Sequence, residues 1–133
     1  MKIEIETIFS QNDVVWTLHE GKFRQFKIVK IETSTETDSI TYQKLEYFKE
    51  NKYQKIISYK PEKVLFEDKT FYNINFIKIK IVYSLYPANH YRTTQIHLSE
   101  EIDLICASKE ELIAKIEKIS LDEQENYQKN KYA

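Results

Sequence analysis

The chain has 133 residues, 41% hydrophobic and 31% charged, the profile of one globular domain with a solvated surface and not of disorder. Twenty Lys+Arg against 21 Asp+Glu leave a net charge of -1, which excludes a chain-wide field for polyanions. A lone cysteine, Cys106, excludes an internal disulfide and points to a reducing compartment, here the cytoplasm.

The first residues, Met1-Lys2-Ile3-Glu4-Ile5-Glu6, are too acidic for a signal peptide, and Ile74–Tyr86 is too short and too charged to span a bilayer. Ile3, Ile5 and Ile8-Phe9 alternate with Lys2, Glu4 and Glu6, a period-two strand pattern. Ser10-Gln11-Asn12-Asp13 reads as a turn. Val14–Leu18 is β-branched and aromatic, and Phe23–Thr33 resumes a strand beyond Gly21, the only glycine. Residues 13–33 are thus expected to form a hairpin, with a bulge or two buried faces where the apolar parity changes at Ile28-Val29. Thr33–Ser39 reads as a polar loop. Ile40–Phe48 and Tyr53–Tyr59 read as strands joined around residues 49–52, with a short helix near 43–50 as the competing reading. Pro61 is a breaker, and Glu67-Asp68-Lys69-Thr70 is a turn candidate after Val64-Leu65-Phe66.

The clearest strand is Tyr72–Tyr86, where Ile77, Ile79, Ile81, Tyr83 and Leu85 share one face and Lys78, Lys80 and Ser84 take the other. Pro87-Ala88-Asn89-His90 ends it, and Tyr91–Leu98 and Ile102–Cys106 supply the last strands. Ser108-Lys109-Glu110-Glu111 is a capping box opening a helix over 108–122, with Leu112, Ile113, Ile116 and Ile119 as its apolar stripe. Residues 123–133 are polar apart from Tyr127 and Tyr132 and read as a mobile tail after a single β-rich domain, 1–122. The expected fold is mainly β (α+β): a small twisted antiparallel sheet or partly open barrel, crossed by one C-terminal amphipathic helix. Trp16, Phe26, Ile28, Ile77, Ile79, Ile81 and Tyr83 should supply most of its core.

Chemistry is sparse. His19, His90 and His97 are dispersed and Cys106 has no CxxC partner, so the spacing supports no metal site; His90 and His97 could at most converge across a hairpin. Cys106 precedes a helix N-terminus, where a thiol can be activated, but Leu104-Ile105-Cys106 also reads as a buried strand end. One glycine is too few for a Walker or Rossmann phosphate loop, and no GxSxG elbow is present. Glu100-Glu101 and Glu110-Glu111 are adjacent pairs, which face apart on a strand or serve a helix start. No catalytic residue and no cofactor is therefore expected. Residues 42–80 interleave tyrosines with lysines, the combination that stacks bases and tracks phosphates on single strands, although the same residues also suit half-buried strands and exposed edges. Tyr47, Lys49, Lys52, Tyr53, Lys55 and Tyr59 are the candidate nucleic-acid or partner surface.

Val14-Val15-Trp16-Thr17-Leu18 with Gly21-Lys22, Phe26, Ile28 and Ile31 resembles the opening hairpin of small SH3/KOW-like barrels. Cys106-Ala107-Ser108-Lys109-Glu110-Glu111-Leu112-Ile113 is similar to the closing segment of short uncharacterised proteins of Bacteroidota, their mobile elements and phages. The match covers about a third of the chain, at its two ends. The resemblance implies an SH3-like fold and a phage or mobile-element setting, and no activity. The skew toward Lys, Ile, Asn and Tyr fits an A+T-rich genome. The functional expectation is a non-enzymatic binding or assembly protein, possible as a phage accessory or structural component, with a protein partner or self-association favoured over a small molecule and no membrane. The alternatives are a single-stranded nucleic-acid-binding barrel and an enzyme using Cys106 or a histidine.

Overall fold

The computed structural model describes residues 3–88 and 95–132, with helix side chains through Gln124. The chain is mainly β, one open antiparallel sheet with a single C-terminal helix. The strands are β1 (Val14–His19), β2 (Lys22–Tyr42), β3 (Gln54–Ile56), β4 (Glu62–Phe66), β5 (Lys69–Pro87) and β6 (Ile96–Ser99); the helix is α1 (Lys109–Tyr132). The sheet order is β1-β2-β5-β3, and β4 and β6 also pair with β5. The chain divides into two compact units, Met1–Thr7 with Glu32–Val82, and Ile8–Ile31 with Tyr83–Ala133. β2 and β5 contribute residues to both.

In the second unit, the hairpin turns as expected. His19 pairs with Lys22, leaving a two-residue loop of Glu20 (φ 52°) and Gly21 (φ 74°), both left-handed. Such a turn matches the natural twist of the flanking strands. The period-two alternation buries Val15 and Thr17 and leaves Trp16 only half-buried, so the tryptophan is not the core anchor that its size suggests. Thr17 is tolerated inside because its hydroxyl donates to the Leu104 carbonyl at 2.6 Å. Phe26, Ile28, Tyr83 and Leu85 complete the strand core.

Ile102–Cys106 is not a strand. Ile102 is exposed in a turn, and only Cys106 bridges, exchanging backbone hydrogen bonds of 2.7 and 2.9 Å with Trp16. The helix begins as its capping box requires, with the Glu111 N–H donating to Ser108 Oγ at 3.1 Å. Leu112 is fully buried and α1 packs on β1, but Ile113 and Ile116 are half-buried and Ile119 and Leu121 are exposed. The helix continues past Asp122, the end that the apolar stripe marks, because Glu, Gln and Lys are favourable helix formers. Residues 91–94 of the expected Tyr91–Leu98 strand, and His90, lie outside the described residues; β6 accounts for the rest.

In the first unit, three expectations change. Thr33–Ser39 is not a loop but the middle of β2, exposed on both faces. Its threonines are β-branched and suit a strand, and pairing with β5, which needs no burial, supplies the backbone partners. Ile3, Thr7 and Ile5 are more covered than Glu4 and Glu6, as a strand pattern requires, yet the segment joins no ladder. The strand expected over Ile40–Phe48 stops at Tyr42, and a 3-10 turn follows at Leu45–Tyr47, close to the competing reading.

β5 is the expected strand, extended at both ends. Its buried residues change parity: Ile74 and Phe76 on one face, Ile79 and Ile81 on the other, with Ile77 half-buried. β4 folds back on β5 with Phe66 opposite Lys69, through Glu67 (φ 49°) and Asp68 (φ 63°). This is a second two-residue turn of the same class, built here without glycine. A side chain at φ > 0 costs about 1 kcal/mol per residue. Replacing Glu67-Asp68 by Asn-Gly should raise the urea midpoint by the equivalent of about 1 kcal/mol. Gly21→Ala should lower it by about the same amount, and by backbone strain alone, since nothing lies within 4 Å of the added methyl.

Candidate functional site

The Tyr/Lys residues do not form one surface. Ile56 pairs with Phe76, Lys55 with Ile77 and Gln54 with Lys78, and the Ile79 N–H donates to the Tyr53 carbonyl at 2.8 Å, so β5 alternates regularly over this stretch. The Phe48 ring packs on Phe76 at 5.3 Å between centroids, and Tyr42 meets both Tyr47 and Phe48 edge-on. That places the Tyr47 cluster on the face of Phe76. Lys52 and Lys55 instead line a cavity of about 270 Å³ with Ile79 and Ile81, on the opposite face.

The same cavity is lined by Ile5, Glu4 and Glu6. Lys55 Nζ lies 3.5 Å from Glu50, and Lys52 Nζ sits 5.5 Å from the Tyr53 ring centroid. Acidic groups therefore surround these two lysines, which lowers the positive potential available for a phosphate backbone. Lys49 is exposed, and Tyr59 is 99% exposed on the connection to β4. The sequence places these residues in one band; the structure sets the Tyr47 cluster on the face of Phe76 and Lys52 and Lys55 on that of Ile79 and Ile81.

The surface that stands out lies one strand further on. All five residues of β4 are exposed, with Val64 at 41%, Leu65 at 77% and Phe66 at 62%. Among the described residues β4 pairs with β5 alone, through Glu62–Asn73, Lys63–Tyr72, Val64–Phe71, Leu65–Thr70 and Phe66–Lys69. Its outer edge thus presents backbone donors and acceptors beside apolar side chains. The first half of this edge carries charge, Glu62-Lys63, as natural edge strands usually do, and its second half carries Val-Leu-Phe. A run of three apolar residues has no period-two polar face, and that was the available signal: one of its faces had to be apolar and uncovered unless the strand was sandwiched.

Two further polar clusters follow, one buried and one half-buried. Tyr83, fully buried on β5, donates its hydroxyl to Glu100, which is 9% exposed, and accepts the Phe9 N–H at 3.4 Å. The Phe9 ring meets Tyr83 edge-on at 5.9 Å. Burial, and then the hydrogen bond to Glu100, push the tyrosine hydroxyl well above its ordinary range. The adjacent acids Glu100-Glu101 lie in the turn after β6, on neither a strand nor a helix start, with Glu100 buried and Glu101 half-buried. Next to Tyr83, the buried Ser84 Oγ lies 3.0 Å from Nδ1 of the exposed His97.

Cys106 is buried, and burial pushes its thiol up, opposed by the nearby Lys115. A raised thiol pKa is the reverse of what a nucleophile needs. Among the described residues no three His, Cys, Asp or Glu side chains gather as a metal-ligand set; His90, and with it the His90–His97 pairing, lies outside them. No helix among the described residues is long and apolar enough to cross a membrane. No protein-family model matches the chain, and no curated protein is similar to it in sequence.

Tyr83→Phe should destabilise the protein by about 2 kcal/mol in urea, because it removes a hydrogen-bond donor to the buried Glu100. The pH dependence has a definite sign. Above about pH 10 the unfolded chain releases a tyrosine proton that folded Tyr83 keeps, so its contribution is complete below that pH and is lost as pH rises further. Subtracting the Tyr83→Phe stability curve from that of the wild type between pH 8 and 11 (roughly the window around an ordinary tyrosine) should isolate this decline. Cys106 should react with a thiol reagent such as DTNB only on unfolding; fast labelling of the native protein would contradict its burial.

Proposed function

We propose that this chain is a non-enzymatic binding or assembly protein whose contact surface is the outer edge of β4. The observation that carries this reading is the exposure of Val64, Leu65 and Phe66 on a strand that, among the described residues, pairs along one side only. Such an edge recognises another strand through its backbone and sets selectivity through alternate side chains. It requires no cofactor and no catalytic group. The resemblance at the two ends of the chain adds a setting to the proposal, a phage or mobile-element accessory or structural component, acting in the cytoplasm or carried in a virion.

A second reading, a single-stranded nucleic-acid surface, draws support from the exposure of Tyr47 (59%) and Tyr59 (99%), aromatic rings of the kind that stack on bases. The two readings separate on nuclease and salt. Tagged protein purified natively from its source cells should bring down a stoichiometric polypeptide, another copy or a different chain, that survives nuclease treatment. Leu65→Lys should lose it while keeping the wild-type far-ultraviolet spectrum. Recovery that vanishes with nuclease, together with salt-dependent anisotropy of a labelled single strand, would transfer the assignment to the nucleic-acid reading.

A further inference from the structure

We infer that the occupant of the β4 edge is β4 of a second copy of this chain, paired antiparallel about Val64. This inference rests on the binding-edge reading above and specifies its partner.

The register follows from the hairpin. Phe66 and Lys69 close a two-residue turn, so they form a hydrogen-bonded pair, and the ladder alternates from there. Val64 and Glu62 then also bond to β5, and the N–H and C=O groups of Lys63 and Leu65 point outward. An antiparallel second copy can use those groups in only a few registers. Centring on Lys63 would set like charges opposite each other and bring Pro61, which has no N–H, into the ladder. Centring on Leu65 would require the turn residue Glu67, held at φ 49°, to serve as a strand partner. Centring on Val64 pairs Lys63 of each copy with Leu65 of the other and uses all of Glu62–Phe66.

The side chains agree with that register. On one face, Phe71 and Val64 of one copy meet Val64 and Phe71 of the other, a continuous apolar row across four strands. Charge is self-complementary. Lys60 and Lys63 lie toward the start of the strand and Glu67 and Asp68 in the turn after its end, so antiparallel pairing brings the basic end of one copy toward the acidic turn of the other, with Lys63 diagonal to both Glu67 and Lys63 of the other copy. Glu62 falls beside Phe66 of the second copy, one strand from its Lys69. Leu65, the most exposed apolar residue of the edge, is covered by the aliphatic stem of Lys63.

Light scattering should give the wild-type protein twice its chain mass of 16.0 kDa. Leu65→Lys should weaken the dimer by roughly tenfold or more with the far-ultraviolet spectrum unchanged. Val64→Cys should link two copies by a disulfide under mild oxidation, because a non-hydrogen-bonded pair brings its side chains closest. Glu62→Cys, which faces Phe66 of the second copy, should stay unlinked and serves as the folded control. A wild-type monomer at every concentration overturns self-pairing, while the native purification still decides whether another chain uses the edge. A dimer unaffected by Leu65→Lys, or equal linking by the Glu62→Cys variant, overturns the register and the site.

Discussion

Everything in this sheet depends on β5 finding its partners. The strand Lys69–Pro87 hydrogen-bonds to β2, β3, β4 and β6, and among the described strands only β1 joins the sheet without pairing with it. A strand that serves four neighbours must be continuous, and its composition makes it so: Ile, Val, Phe and Tyr alternate with residues that accept exposure, and no glycine interrupts it. Pro87 stands at its last position, where the missing N–H costs least. The change of buried parity between Phe76 and Ile79 lets one strand carry the aromatic Tyr42–Tyr47–Phe48 cluster on one face and the Ile5 cavity on the other.

This arrangement explains which elements can be read from the amino-acid sequence. β5 is legible because its alternation is long, and the start of α1 is legible because Ser108 and Glu111 satisfy a local capping rule. The turn at Glu20-Gly21 is legible for the same local reason. Thr33–Ser39 is not, because a strand exposed on both faces carries no burial pattern; its partner on β5 is remote in sequence. The Ile3–Phe9 segment shows the converse, since it has the pattern but no ladder. Trp16 misleads because size says nothing about parity, and the pleat turns Val15 and Thr17 inward instead.

The candidate surface was partly legible for a similar reason. Tyr47, Lys49, Lys52, Tyr53, Lys55 and Tyr59 are neighbours along the chain, but linear proximity carries no information about which face of a sheet a side chain takes. Phe48 commits the Tyr47 cluster to one face of β5, and Lys55, opposite Ile77, commits to the other. Val64-Leu65-Phe66 reads only as an apolar run before a turn; that among the described residues β4 has no neighbour beyond β5 is a fact of topology. Tyr83 and Glu100 are another such case, seventeen positions apart and joined only once β5 and the loop after β6 are both in place.

The long exposed stretch of β2 also has a meaning for synthesis on the ribosome. Its partner β5 ends at Pro87, while β2 ends at Tyr42. At about 5–20 residues per second, the Glu32–Tyr42 segment waits roughly two to nine seconds as an unpaired strand before β5 is made. Hydroxyls and carboxylates, from Thr33 through Thr41, fill nearly all of that segment. A nascent strand so hydrated is a poor template for aggregation during the delay. The polarity that hides it from a hydrophobic pattern is thus what lets a sheet with such distant pairing be made one residue at a time.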